Sequence, residues 1–533
     1  MNSVMKHSFS NVPKVDIQRS AFDRTSAYKT TFNSGYLIPF FLDEVLPGDT
    51  FNVDTTMFAR LATPIVPLMD NMYLDTQYFF VPNRLLWSNF QKFMGERTPD
   101  PDSSTDYLIP TLPRPAGTGF VVGTLADYFG LPTGVVGVNG FSVNSLPFRM
   151  YNLIWNEWYR DQNIQDSVVV DLGDGPDDIS DYVLLRRGKR HDYFTSCLPW
   201  PQIGPSIPLP LTGDIAITGI GKGTQSYSDY TNKAVYTTDG SGTVVFAKAS
   251  AANGTADNSI FVEEDPNNTG YPNIRGDLSS VTAATINELR QAFQLQRMAE
   301  RDARGGTRYV EILRAHFSVV SPDARLQRPE FLASSSHAIN INPVQQTSES
   351  ADTPQGNLAA YGLVTGRNGF TKSFVEHGYV IGLLSVRADL TYQQGVDRMW
   401  SRRTKYDIYW PALAHLGEQA VPVSEIYIKG VTATDATIFG YQERFAEYRY
   451  KRSLITGELR STFAQSLDVW HLSQEFTDYP TLSSTFIQDN PPIDRVIAVT
   501  SPVSPQFILD CFIKNRTVRP MPTYSVPGNI DRF

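Results

Sequence analysis

The sequence predicts a mainly β protein, an antiparallel jelly-roll sandwich with long inserted loops and a few short helices. Three observations predict it. Of the 533 residues, 12% are aromatic, 35 are proline and 37 are glycine, while only 19% are charged. That mixture favours many short strands joined by turn-rich loops over helical bundles. Strand-like runs lie early and late in the chain, with long excursions between them, and pairing first strands with last closes the two sheets of a jelly roll. The strand–helix alternation of βαβ units is missing, and so is any internal repeat.

Taken in order, residues 1–45 read as an extended N-terminal arm, closed by the turn signal Pro47-Gly48. Phe51, Val53, Met57, Ala59 and Leu61 then share one parity, with Asn52, Asp54 and Arg60 on the other and Phe58 the exception. This is the period of a half-buried strand. Met72, Leu74, Thr76, Tyr78 and Phe80 line one face of a second strand, which Pro82 ends. Residues 83–96 switch to helical spacing, with Leu86, Phe90, Phe93 and Met94 inward and Gly95 as the stop. A long loop rich in Pro, Gly, Ser and Thr follows over 97–147. Tyr151, Ile154, Trp155, Trp158 and Tyr159 then form a stripe at helical spacing, read as core packing and not as a cofactor box.

From Leu198 to about Ser280 the character changes: Gly, Ser, Thr, Asn and Asp dominate, and Lys and Arg nearly vanish. A structureless connection of this length is improbable inside a compact domain, so 205–278 reads as a surface insertion between two parts of the core, 46–204 and 279–533. Thr285 with Glu288 makes a capping box for a helix that runs to Gly305-Gly306, with Ile286, Leu289, Phe293 and Met298 inward. Beyond it, 308–320, 331–342, 376–392, 495–500 and 507–515 read as short strands.

The formal net charge of −9, from 46 basic and 55 acidic residues, excludes a general nucleic-acid glue. Nucleic-acid contact would have to come from local patches or from a basic partner. Cys197 and Cys511 are the two cysteines, far apart in sequence; they read as buried free thiols. The seven histidines are scattered without metal-binding spacing, and no run approaches the ~18 apolar residues of a membrane span. The N-terminus shows no apolar core of a secretory signal. GIGKGT at 219–224 resembles a phosphate loop, but Ala216 stands where the first Gly belongs and Gly223 where Ser or Thr belongs. Asp171, Asp174, Asp177, Asp178 and Asp181 crowd one turn; EF-hand spacing fails there, which favours a solvated acidic turn over a calcium site. No G-x-S-x-G and no metal-protease helix occurs, so no catalytic residue, metal or cofactor is expected and the chain reads as no enzyme.

Four basic clusters interleave with aromatics: Arg186, Arg187, Lys189 and Arg190 beside His191; Arg398, Trp400, Arg402, Arg403 and Lys405; Arg449, Tyr450, Lys451 and Arg452 after Tyr448; and Lys514, Arg516 and Arg519. Cationic groups neutralise phosphates and aromatic faces accept unpaired bases, so these are candidate DNA-contacting residues. The competing reading is that the same cations pair with acidic groups at subunit contacts.

The run SGYLIPFFLDEVLPGDTFNVDTTMFARLATPIVPLMDNMYLDTQYFFVPNRLLW resembles the N-terminal region of the major capsid protein of gokushoviruses, a group within the microviruses. PFRMYNLIWNEWYRDQN, FTSCLPWPQ, INELRQAFQLQRMAERDARGGTRYVEIL and the tail YSVPGNIDRF resemble it too, leaving only about 205–275 without a match. The resemblance implies an eight-stranded viral jelly roll that assembles with itself, through pentamers, into a T=1 icosahedral shell around circular single-stranded DNA. It implies a virion protein assembled in the cytoplasm of a bacterial host, with the insertion projecting outward near the threefold axes toward a host receptor. A small basic DNA-binding protein and a minor pilot protein are the further partners it implies, with no membrane insertion. The alternative from residues alone is a secreted or surface β-sandwich that binds polysaccharide or cleaves it as a glycosidase, using exposed Trp and Tyr as platforms. The missing secretion signal and acid pair count against that alternative.

Overall fold

The alternation read in 50–61 is the middle of a two-sheet sandwich in the computed structural model, which describes residues 17–96, 107–115, 117–135, 141–207, 285–351, 354–501 and 503–524, with six short strands inside 208–284. The sandwich strands are β1 (Ser20–Asp23), β2 (Ser26–Phe32), β3 (Ile38–Val45), β4 (Thr50–Leu61) and β5 (Met72–Pro82), then β6 (Glu330–Ala338), β7 (Asn340–Gln345), β8 (Leu358–Ser373), β9 (Gly378–Ala388) and β10 (Phe507–Arg519). One sheet has the order β2–β10–β4–β8–β7, with β1 also paired to β10; the other has the order β6–β5–β9–β3. All these pairings are antiparallel. The first strand lies beside the last, and the chain alternates between the sheets except at β5 and β6, which pair within one: an eight-position jelly roll, with β1 and β2 sharing one position and β7 an extra edge.

The two sheets differ in how they are covered. Phe51, Val53, Met57, Ala59 and Leu61 point into the core between the sheets with Phe80, Val380, Leu384 and Leu509, while Phe58 stays 46% exposed on the other side. The outer face of the β4 sheet thus remains open. The central strands β5 and β9 of the other sheet are buried on both faces, because Phe79, Val81, Ile381 and Leu383 turn outward onto a second cluster with Leu86, Trp87, Tyr151 and Ile154. A strand covered on both sides loses its alternation, which is why β9 reads as a nearly unbroken apolar run. Gly382 leaves room there: a Cβ would sit 2.8 Å from the Phe40 ring and 2.9 Å from that of Tyr78. A third cluster, including Phe194, Val421, Ile426 and Phe439, is built from the excursions and the ribbon Glu418–Pro422/Ile438–Glu443.

Several expectations need correction. The helix expected over 83–96 is a single turn, Phe90–Phe93; Leu86 and Trp87 are buried, but Phe93 and Met94 face outward. Residues 308–320 are not a strand but hold a helix, Tyr309–Phe317, because Glu311 reaches back to the Arg308 amide and caps it. The apolar run 495–500 forms a turn whose Val496 and Ile497 plug the core. The capping box of Thr285 and Glu288 forms as expected, yet Ile286, Phe293 and Met298 are exposed. β1, β2 and β8 escaped the reading. Both cysteines are buried and free.

The acidic turn is less solvated than expected. Asp177 is buried and accepts from Arg149 Nε at 2.8 Å, and Asp174 accepts from Trp87 Nε1 at 2.7 Å. Among the described residues, no cluster of His, Cys, Asp and Glu could hold a metal ion. None of the described helices is long and apolar enough to cross a membrane.

The chain divides into two units, residues 1–201 with 302–533, and 202–301. In the second unit, the antiparallel strand pairs 216–218/275–277, 220–222/260–262 and 233–236/243–246 are nested one inside the next along the sequence. Lys222 of the suspected phosphate loop lies in one of these strands, not in a loop.

Candidate nucleic-acid interface

Residues 186–190 run beside the β5 sheet, and their cations are held by the chain itself. Arg187 Nη1 donates to Asp75 Oδ2 at 3.0 Å and to Ser385 Oγ at 2.8 Å, and Arg387 grips the same carboxylate. Burial opposes the charge on Asp75, but Arg187, Ser336 and Arg387 outweigh it and hold the carboxyl below its usual range. Arg186 lies 4.1 Å over the Tyr36 ring and donates to the Asp489 carbonyl at 3.1 Å. Lys189 donates to Gln474 Oε1 at 2.9 Å and sits 4.3 Å over Phe486; burial pushes its amine down to about 8. Arg190 pairs with Asp389 at 3.3 Å and covers Tyr73. These four fasten the excursions to the sandwich.

The last cluster splits. Lys514 and Arg516 project from the open face of β10, where they help line a trough of about 730 Å³ with Phe22, Asn52 and Phe512. Arg519 turns back to Asp49 at 3.2 Å and to the Glu44 carbonyl at 2.6 Å.

The second and third clusters, about fifty residues apart in sequence, come together. Arg398 and Arg402 share Glu447, at 4.0 and 3.3 Å, and Arg398 also reaches Glu425 at 3.2 Å. Arg452 donates to the Glu425 carbonyl and lies 3.6 Å from Asp397. Burial pushes the Glu425 carboxyl up to about 7 against the pull of Arg398 and Arg452. Above this base lies a surface of rings: Trp400 is 74% exposed, Tyr406 57%, Trp410 50%, and Tyr409, Tyr448 and Tyr450 nearly as much. Arg402 stacks 4.2 Å over Tyr448, Tyr409 meets Tyr448 at 6.2 Å, and Trp410 Nε1 anchors to the Lys405 carbonyl at 2.7 Å. Arg403, Lys405 and Lys451 are exposed around the rings, and exposed Arg449 pairs with Glu443. Arg444, Tyr406, Tyr409 and Trp410 belong to the same surface and were missed. The ring density of KYDIYWP, 405–411, was the signal available for three of them.

Free cations between exposed ring faces can hold unpaired bases and phosphates, or pack against another protein surface. The jelly roll is a fold of viral coats and of lectin-type domains. Large side chains left uncovered across the described surface, among them Val375, Val503 and Leu454, mark a subunit that completes its packing against others. The class is therefore that of a coat-building jelly-roll protein.

Comparison with known proteins agrees. The family model described as capsid protein (F protein) matches residues 10–529, and the chain belongs to that phage capsid family. Capsid protein VP1 of Bdellovibrio phage phiMH2K is 49% identical over 541 residues, covering 99% of this chain and 98% of that protein. VP1 of Chlamydia phage 1 is 46% identical, with 99% and 98% covered, and VP1 of Spiroplasma virus 4 is 37% identical, with 98% and 97% covered. These are gokushovirus-type microviruses, and this chain is a major capsid protein of that type, a structural virion component and not an enzyme.

Proposed function

We propose that the subunit assembles into a T=1 icosahedral shell around circular single-stranded DNA and that the surface formed by 398–410 and 444–451 faces the genome. The observation that carries this reading is the union of two separate clusters into one exposed platform of rings and cations. Such a platform suits flexible, unpaired DNA, because every base has a π-face and every nucleotide a phosphate. The net charge of −9 leaves bulk neutralisation of the genome to a small basic viral protein, with a minor pilot protein as a further virion partner. In this reading residues 205–278 form an outward projection near the threefold axes that attaches to the host; the nested antiparallel strand pairs in this segment suit a support for a variable tip.

The test is particle production with the triple variant Trp400→Ala, Arg403→Ala, Lys405→Ala in an otherwise intact phage. Stacking is worth roughly 1–3 kcal/mol per base, so closed shells should form while nuclease-protected DNA per particle falls several-fold. Fully loaded particles, or no particles at all, would overturn the assignment; the second result would make the platform a subunit contact.

A further inference from the structure

The main unit holds a cleft of about 410 Å³ that the assembly reading does not use. Its walls are Trp158–Gln165 on one side and Gly305–Arg308, at the start of the helix Tyr309–Phe317, on the other. Arg160 and Arg308 both line it, and burial together with the like charge of Arg308 weakens the hold of Arg160 on its proton. The Nε atoms of both guanidinium groups are buried with no hydrogen-bond partner. Their remaining bonds go mostly to carbonyls: Arg160 to Gln165 O at 3.1 Å, Arg308 to Asn156 O at 2.8 Å and to Arg160 O at 2.7 Å. Arg308 also reaches Glu311 Oε1 at 3.0 Å. A buried donor left unmade is costly, and two like charges side by side are more so.

The other charged groups on the walls do not remove that imbalance. Lys189 is tied to Gln474, and Arg304 to Glu418 and Glu443. Glu157, Asp166 and Asp161 favour the charge on Arg160 but do not outweigh burial and Arg308, and Glu311 caps the helix; His191 is exposed at the wall. An anion in the cleft would offset the two charges that meet mostly backbone carbonyls, with the positive end of the nine-residue helix behind it. The volume lies in the range of small-ligand sites, and Trp158 and Tyr159 supply ring surface beside the cations.

We propose that this cleft binds the phosphate group of a single nucleotide, held by the Arg160 and Arg308 guanidinium groups. The nucleotide is either free or the end of a DNA strand; the site is separate from the 398–451 platform and stands without it.

The experiment is calorimetric titration of the full-length purified subunit at low salt with 5′-dAMP, with inorganic phosphate as competitor, and with a short 5′-phosphorylated oligodeoxynucleotide. Saturable binding of dAMP or of the oligonucleotide is expected, with phosphate competing. Arg160→Gln should weaken it at least about tenfold, the loss of one charge-assisted contact. Because Arg308 also ties backbone carbonyls and its loss could unfold the region, Glu311→Gln is the second variant. It keeps the cap, removes a competing negative charge, and should tighten binding several-fold. Binding of dAMP identifies a free-nucleotide site; binding of the oligonucleotide alone, weakened by Arg160→Gln and by removal of its 5′-phosphate, identifies a strand end. No binding by either probe, or binding unchanged by both substitutions, overturns the proposal. Variants of the platform such as Trp400→Ala should leave the dAMP titration unaltered and weaken only the oligonucleotide arm, which keeps the two assignments separable.

Discussion

Arginine-rich stretches that look alike in sequence end in opposite states. Residues 186–190 lie against the doubly covered sheet and meet a partner at every cation: Asp75, Asp389, Gln474, Tyr36. Residues 398–405 and 448–452 rest on two glutamates, Glu425 and Glu447, which satisfy the inner arginines and leave Arg403, Lys405 and Lys451 outside. The lesson is that a basic cluster is defined by the carboxylates the fold brings to it. Those carboxylates come from far along the chain, so a window of sequence does not contain them.

The comparison breaks most readily at Arg187. Its truncation leaves a carboxylate 5% exposed with only Arg387 to pair with, so Arg187→Ala should cost about 3 kcal/mol, read from the denaturation midpoint of the soluble subunit. Arg403→Ala should change that midpoint by less than about 0.5 kcal/mol. Equal effects at the two positions would erase the distinction.

A pH experiment sharpens it. Asp489, beneath the first cluster, is pushed up to about 7 chiefly by burial, despite Arg387, Lys189 and Arg187. Its proton is held more tightly in the folded chain than in the unfolded one, where the value is ~3.9. The stability it contributes is therefore full at acid pH and is lost as pH rises from about 4 towards 7. Asp489→Asn should flatten that decline in thermal melts recorded between pH 5 and 7.5; parallel curves for the two proteins would contradict it.

A modest effect is expected at the stacked arginine of the platform. Arg402→Lys keeps the charge near Glu447 but loses the planar stack on Tyr448, a change of roughly 0.5–1 kcal/mol. DNA retention should become more salt-sensitive in step, as measured by release from disrupted particles; an unchanged salt profile would show that the ring face is idle.

How far the sequence reached depends on what each signal measures. The alternation of β4 was plain because one face meets the core and the other stays open. β8 has the same alternation, yet Gly362, Gly366 and Gly369 replace side chains on it and hide the period. Residues 308–320 looked like a strand because a short apolar run carries no decisive period; the cap at Glu311, visible as a residue type but not as a contact, decided for a helix. Ile286 and Phe293 were placed inward because a periodic stripe implies a partner, and within the described chain they have none to bury them. The resemblance carried the coat-protein reading almost entire. The union of two clusters into one platform could not be read, since it depends on Glu425 and Glu447 lying between them.

Photochemical crosslinking of DNA to protein inside intact particles, followed by mapping of nucleotide adducts, tests the genome-facing platform most directly. The account predicts adducts on Trp400, Tyr406, Trp410 or Tyr450 and none at residues 186–190. Adducts at 186–190 with the platform unmarked would contradict it.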